Sequence, residues 1–137
     1  MKIKKQDLTP NLFAKKILEE NKHVLFAYLF GSVARGEQSP LSDIDIAVYF
    51  HQDIDLTTEK LNLIGDLIDQ MGTDHIDLVI LNTAPLSLAA RILKCREILV
   101  DRHPFIRHLY ESLIMRESFD FYTLETSILK RRYAHGG

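Results

Sequence analysis

The pair Gly31-Ser32, followed after ten residues by Asp43-Ile44-Asp45, constrains this chain more than any other feature. A Gly-Ser pair closing an apolar strand lets the backbone approach an anion closely, because Gly carries no Cβ. A short helix starting there would turn its free N–H groups on the same anion. Two aspartates at i and i+2 of a strand point to one side, roughly 7 Å apart along the chain. Like charges held that close repel strongly unless a cation lies between them. The turn and the two acids together imply a metal-bound nucleoside triphosphate.

At 137 residues the chain suits one compact domain spanning 1–137. A net charge of −2 offers no basic surplus for gripping a nucleic-acid backbone, so no nucleic-acid substrate is expected. Cys95 is the only cysteine, which excludes an internal disulfide; beside Lys94 and Arg96 it reads as a half-buried helix residue rather than a reactive thiol. No apolar run reaches the ~18 residues of a membrane span. The basic start Met1-Lys2-Ile3-Lys4-Lys5 is interrupted by Gln6, Asp7 and Pro10 where a signal peptide needs apolar residues. A cytoplasmic protein is expected.

Periodicity places the elements around the motif. Thr9-Pro10 reads as a cap and first position of a helix with Leu12, Phe13, Ile17 and Leu18 on its apolar face, ending near Asn21. Val24 to Phe30 is a nearly continuous apolar run, suited to a strand buried on both faces. Ser32 to Arg35 reads as a helical turn and Gly36 to Ser42 as loop. Ser42 to Phe50 reads as a second strand, with Ile44, Ile46 and Val48 opposite the acids. A helix capped by Thr57 or Thr58 runs through Gln70, with the stripe Leu61, Ile64, Ile68 and Met71, and Gly72 ends it. His75 to Leu81 reads as a third strand, Leu86 to Lys94 as a helix after Pro85, and Glu97 to Val100 as a short strand. From Pro104 a helical pattern continues to about Tyr133 through Ile106, Tyr110, Leu113, Phe121, Leu124 and Ile128. Such a helix outreaches a small sheet. Either part of its stripe meets another chain, or it breaks near Ser118 and folds back. Arg131-Arg132 and His135-Gly136-Gly137 read as a frayed tail.

A lone D-x-D on a half-exposed strand is ordinarily solvated decoration. Asp53-Ile54-Asp55 is read that way, as loop and cap chemistry. The first pair differs because Gly31-Ser32 stands upstream and a third acid, Asp77, sits mid-strand on the face it shares with His75 and Val79. Asp43, Asp45 and Asp77 facing one way need Mg²⁺ or a similar hard cation, which prefers oxygen ligands. The loop Gly31 to Gly36 begins like a P-loop, but Glu37-Gln38 stands where Lys and Ser/Thr are required, so Walker-type binding is rejected. Ser32 would offer its hydroxyl and N–H to the terminal phosphates, and Arg35 would neutralise phosphate charge or pair with Glu37. His75 reads as a strand-edge histidine bonded locally.

The combination Gly31-Ser32-x10-Asp43-x-Asp45, with Asp77 on a later strand, resembles the polymerase-β-type nucleotidyltransferase superfamily. The run Gly-Ser-Val-Ala-Arg-Gly with Ser-Asp-Ile-Asp-Ile-Ala-Val is similar to its minimal (MNT) branch. The likeness covers about residues 24–101 and leaves the last helix, about 104–133, less diagnostic. It implies catalytic and metal-holding roles for Asp43, Asp45 and Asp77, nucleotide binding by Gly31, Ser32 and Arg35, a two-metal Mg²⁺ site, and ATP as substrate. Members of this branch are commonly encoded beside HEPN-domain ribonuclease toxins. The resemblance therefore implies an antitoxin that transfers AMP to a tyrosine of a HEPN toxin, in a hetero-oligomer with it. Two other readings remain: transfer to a small hydroxylated molecule, and a non-catalytic antitoxin that binds its partner sterically. Arg102 and His108 share the spacing of the HEPN nuclease motif, but the strand pattern upstream makes that match accidental.

The expected fold is α/β (α+β): a short mixed sheet of three to five strands with helices over one face and the acids on the other. Gly31 ends the first strand and Asp43 begins the second, so these two are expected to be antiparallel neighbours.

Overall fold

The apolar run Val24–Phe30 forms β1, the strand against which the sheet is built. The structure, a computed structural model, describes residues 10–31 and 44–135, with side chains over 12–31 and 44–120. β2 (Ile44–Phe50) lies antiparallel to β1 as expected, and β3 (Ile76–Ile80) runs parallel to β2. β4 (Glu97–Asp101) pairs antiparallel with the other side of β1, so the mixed four-stranded sheet has the order β3-β2-β1-β4. Among the described residues four helices complete the fold: α1 (Pro10–Glu20), α2 (Leu56–Met71), α3 (Leu86–Lys94) and α4 (Pro104–His135).

On one face Ile44, Ile46, Val48, Leu78 and Ile80 pack with α1 and α2. The stripe that α2 turns to the sheet is the expected one only in part, through Ile64 and Met71. Leu63 and Leu67 are fully buried, whereas Leu61 is 65% exposed. Both leucine sets repeat at helical spacing, so period alone does not choose between two overlapping stripes. In α1 Ala14 is buried and Leu12 is exposed, for the same reason. The cap of α2 is Asp55 rather than a threonine. Its carboxylate accepts hydrogen bonds from the Thr57 N–H (3.2 Å) and the Thr58 hydroxyl (2.8 Å). Gly72 ends the helix at φ 70°, its N–H bonded to the Ile68 carbonyl.

The opposite face carries the acids, as expected, and is covered in addition by α3 and α4. Phe26, Tyr28 and Ala47 lie there with Ile92, Leu93 and Ile114 over them, because apolar residues on both faces of β1 need cover on both. Phe26 stacks on Tyr49 with centroids 4.8 Å apart, and Tyr110 of α4 leans on both rings. Buried charge ties α4 to β4 and the end of α3. Arg107 donates to Asp101 (2.9 Å) and Glu111 (2.6 Å), and Arg96 reaches the same Glu111. Burial disfavours the Arg107 charge, but the bond to Asp101 and the charge of Glu111 outweigh it and hold its pKa above the ordinary value.

α4 continues unbroken past Ser118 and includes Arg131, Arg132 and His135, which were expected in a frayed tail. Its 32 residues extend about 48 Å at 1.5 Å each, longer than the sheet. Ile106, Tyr110 and Ile114 pack inward, while Leu113, expected on the apolar face, is exposed. The side chains of Phe121, Leu124 and Ile128, the cap Thr9, the turn Ser32 to Arg35 and the loop Gly36 to Ser42 lie outside the described residues. Among the described residues no helix is long and apolar enough to cross a membrane.

Candidate active site

Strand registers bring part of the motif into one row. Phe30 of β1 is the Cα partner of Asp45 on β2, and Asp45 is in turn the partner of Asp77 on β3. Neighbouring strands stand about 4.8 Å apart, and residues in register share a face. Asp45 and Asp77 are therefore adjacent, Asp45 half-buried and Asp77 exposed at the rim. The parallel β2–β3 pairing does this, and it follows from the chain passing through α2 between the two strands.

Gly31, the residue after β1, has φ +77°. A Cβ placed there would fall inside the Asp45 carboxylate. The glycine is needed twice, for the backbone conformation and for the close approach of the acid. Ser32, Arg35 and Asp43 lie outside the described residues.

Gly31, Asp45 and Asp77 line a cavity of about 480 Å³. Its remaining wall comes from α3, which turns Leu88, Arg91, Ile92 and Cys95 toward it. Those positions follow the i, i+3, i+4, i+7 spacing of one helix face. Sequence reasoning missed them. The available signal was an arginine and a cysteine on a face otherwise apolar. Cys95, expected half-buried within a helix, is the exposed C-cap residue of α3, its Sγ 3.5 Å from the Arg91 carbonyl. Phe30 and Val79 give the cavity an apolar flank. A cavity with acids on its floor and apolar side walls suits a ligand that brings a cation to the acids and has an aromatic or aliphatic part for the walls.

His75 is exposed, its Nε2 3.8 Å from the Asp74 carboxylate, and it is not among the residues lining the cavity. Asp53 lies in an exposed loop, 4.0 Å from His51 Nδ1. Arg102 donates to the Asn21 carbonyl (2.8 Å) while His108 contacts Arg107, so that pair converges on no shared site.

Among the described residues no group of three His, Cys, Asp or Glu side chains is gathered to hold a metal. The donors at the cavity floor are nevertheless all carboxylate oxygens on one face, the chemistry that fits Mg²⁺.

Residues 14–105 match the family model described as polymerase beta, nucleotidyltransferase. A Methanocaldococcus jannaschii protein provisionally named a protein adenylyltransferase is 39% identical over 69 residues, which is 50% of this chain and 78% of that one. A toxin–antitoxin crystal structure with AMP-PNP is 26% identical with a TM-score of 0.71, over 90% of this chain and 98% of its own. A tri-AMPylated Shewanella oneidensis HEPN toxin in complex with MNT antitoxin aligns over 90% of this chain and 98% of its own, with a TM-score of 0.65; at 21% identity it shows the fold alone. The family model spans more than half of the sequence and covers every described residue of the cavity, and this chain belongs to the polymerase beta nucleotidyltransferase family.

Proposed function

We propose that this chain is an antitoxin that transfers AMP from ATP to a tyrosine hydroxyl of a HEPN-family ribonuclease toxin. The observation that carries the reading is the Asp45–Asp77 pair in register beside Gly31 at the floor of the cavity. The adenylyltransferase name of the relative and the AMP-PNP of the solved toxin–antitoxin structure support it. Phe105, Leu109 and Leu113 recur every four residues along α4 and are 72%, 58% and 44% exposed; we assign this row to the toxin.

The reaction needs one nucleophile and one leaving group. The tyrosine oxygen attacks the α-phosphorus, a new O–P bond forms, and the bond from that phosphorus to the oxygen bridging to the β-phosphate breaks. Pyrophosphate leaves with the electron pair of that bond, and Ser32 and Arg35 would bind its charge. Asp77, at the exposed rim, would accept the hydroxyl proton, as base or through the metal it would help to hold. Mg²⁺, which Asp43, Asp45 and Asp77 would hold, supplies charge neutralisation when bound. Gly31 lets the phosphate chain lie against the backbone, and the apolar flank excludes water from it.

Intact-mass measurement of a cognate HEPN toxin with this chain, ATP and Mg²⁺ tests the proposal. The toxin gains one or more AMP masses, and Asp45→Asn lowers the rate by at least about 100-fold. An unmodified toxin whose activity is still suppressed would favour steric binding. An unmodified toxin with an adenylylated small molecule would favour the small-hydroxyl acceptor.

A further inference from the structure

We propose that Arg91 of α3 binds the phosphate chain of the nucleotide from the wall facing Asp45 and Asp77. The inference rests on the nucleotide-binding reading above and adds a residue to it.

Three observations lead there. Arg91 lines the same cavity as Gly31, Asp45 and Asp77 but comes from a helix, not from the sheet. Among the described residues lining the cavity it is the only cation. Among the described residues its guanidinium has no carboxylate within ion-pairing distance, whereas Arg96 and Arg107 nearby are both engaged with Glu111. The alternative role is a charge on the last turn of α3 that complements the helix C-terminus, which Lys94 also provides. That role does not require Arg91 to share a face with Leu88, Ile92 and Cys95, whereas Lys94 faces the groove between α3 and α4. A triphosphate brings more negative charge to a floor that already bears carboxylates. A guanidinium on the facing wall offers it two parallel donors without displacing anything the acids hold.

Cys95 supplies the readout, because it is exposed, lines the same cavity and is the chain's only cysteine. Alkylation of Cys95 by iodoacetamide is followed by intact mass as ATP with Mg²⁺ is titrated. In the wild-type protein the nucleotide slows alkylation. In Arg91→Gln the ATP concentration for half-protection rises about 10- to 100-fold, the effect of losing one hydrogen-bonded charge, and Arg91→Lys recovers part of it. The KM for ATP in AMP transfer rises in parallel. Lys94→Gln leaves the half-protection point where it was. Equal protection of Arg91→Gln and wild type overturns the assignment, as does an equal shift in Lys94→Gln, which would mark a general charge effect. No protection of the wild-type thiol at any ATP concentration would remove the nucleotide site itself. Absence of AMP on the toxin, with Cys95 still protected, would remove the acceptor and leave Arg91 standing.

Discussion

Gly31 holds a left-handed backbone and leaves room for the Asp45 carboxylate, so its replacement separates folding from site geometry. Gly31→Ala should cost about 1–2 kcal/mol from the positive φ alone. Its effect on the site should be larger, because the new methyl group displaces Asp45. We expect a modest fall in Tm and a loss of MgATP-dependent protection of Cys95 well beyond it. A variant that binds nucleotide normally would show that Asp45 tolerates displacement. At this scale the acids were readable in advance. A strand has a period of two, so Asp45 and Asp77 must face away from Ile44, Ile46 and Leu78 wherever those strands lie. Arg91 was not readable, because a lone arginine on a helix is ordinarily solvated.

Elements were legible in kind and order more than in orientation. The strand limits around Val24–Phe30 follow from an apolar run ended by glycine, and α3 begins after Pro85 as its composition requires. Which stripe of α2 faces the sheet did not follow. Leu61, Ile64, Ile68 and Met71 repeat at helical spacing as Leu63, Leu67 and Met71 do, and only packing against β3 and α1 decides that Leu63 and Leu67 are buried with Ile64 and Met71 beside them. The choice has a measurable consequence. Leu63→Ala should lower unfolding free energy by about 2–5 kcal/mol in urea titrations, whereas Leu61→Ala should stay within about 0.5 kcal/mol. Similar losses from both would mean that α2 is rotated from the orientation described.

Across the whole molecule, α4 is joined to the end of β3 through a half-buried phenol. The Tyr110 hydroxyl donates to the Leu81 carbonyl at 3.2 Å, and burial, then the neighbouring Tyr49, push its pKa up to about 12 from 10.0. A pKa raised on folding means that the folded state keeps the proton longer. This contribution is complete below pH ~10 and is lost as pH rises toward 12. Tyr110→Phe should therefore cost about 1 kcal/mol at neutral pH, from the lost hydrogen bond, and should unfold less steeply than wild type between pH 10 and 12. Denaturation midpoints across that range provide the check; parallel curves would assign the alkaline loss to other groups. The sequence by itself determined the nucleotidyltransferase family, the alternation of helices and strands, and the antiparallel pairing of β1 with β2, because each depends on residue type and short-range spacing. Tertiary structure alone decided the register that makes Asp77 the Cα partner of Asp45, that α3 closes the cavity with Arg91, and that α4 covers the second face. Those outcomes depend on strand register and on which of several apolar surfaces meet, and neither is encoded locally in the chain.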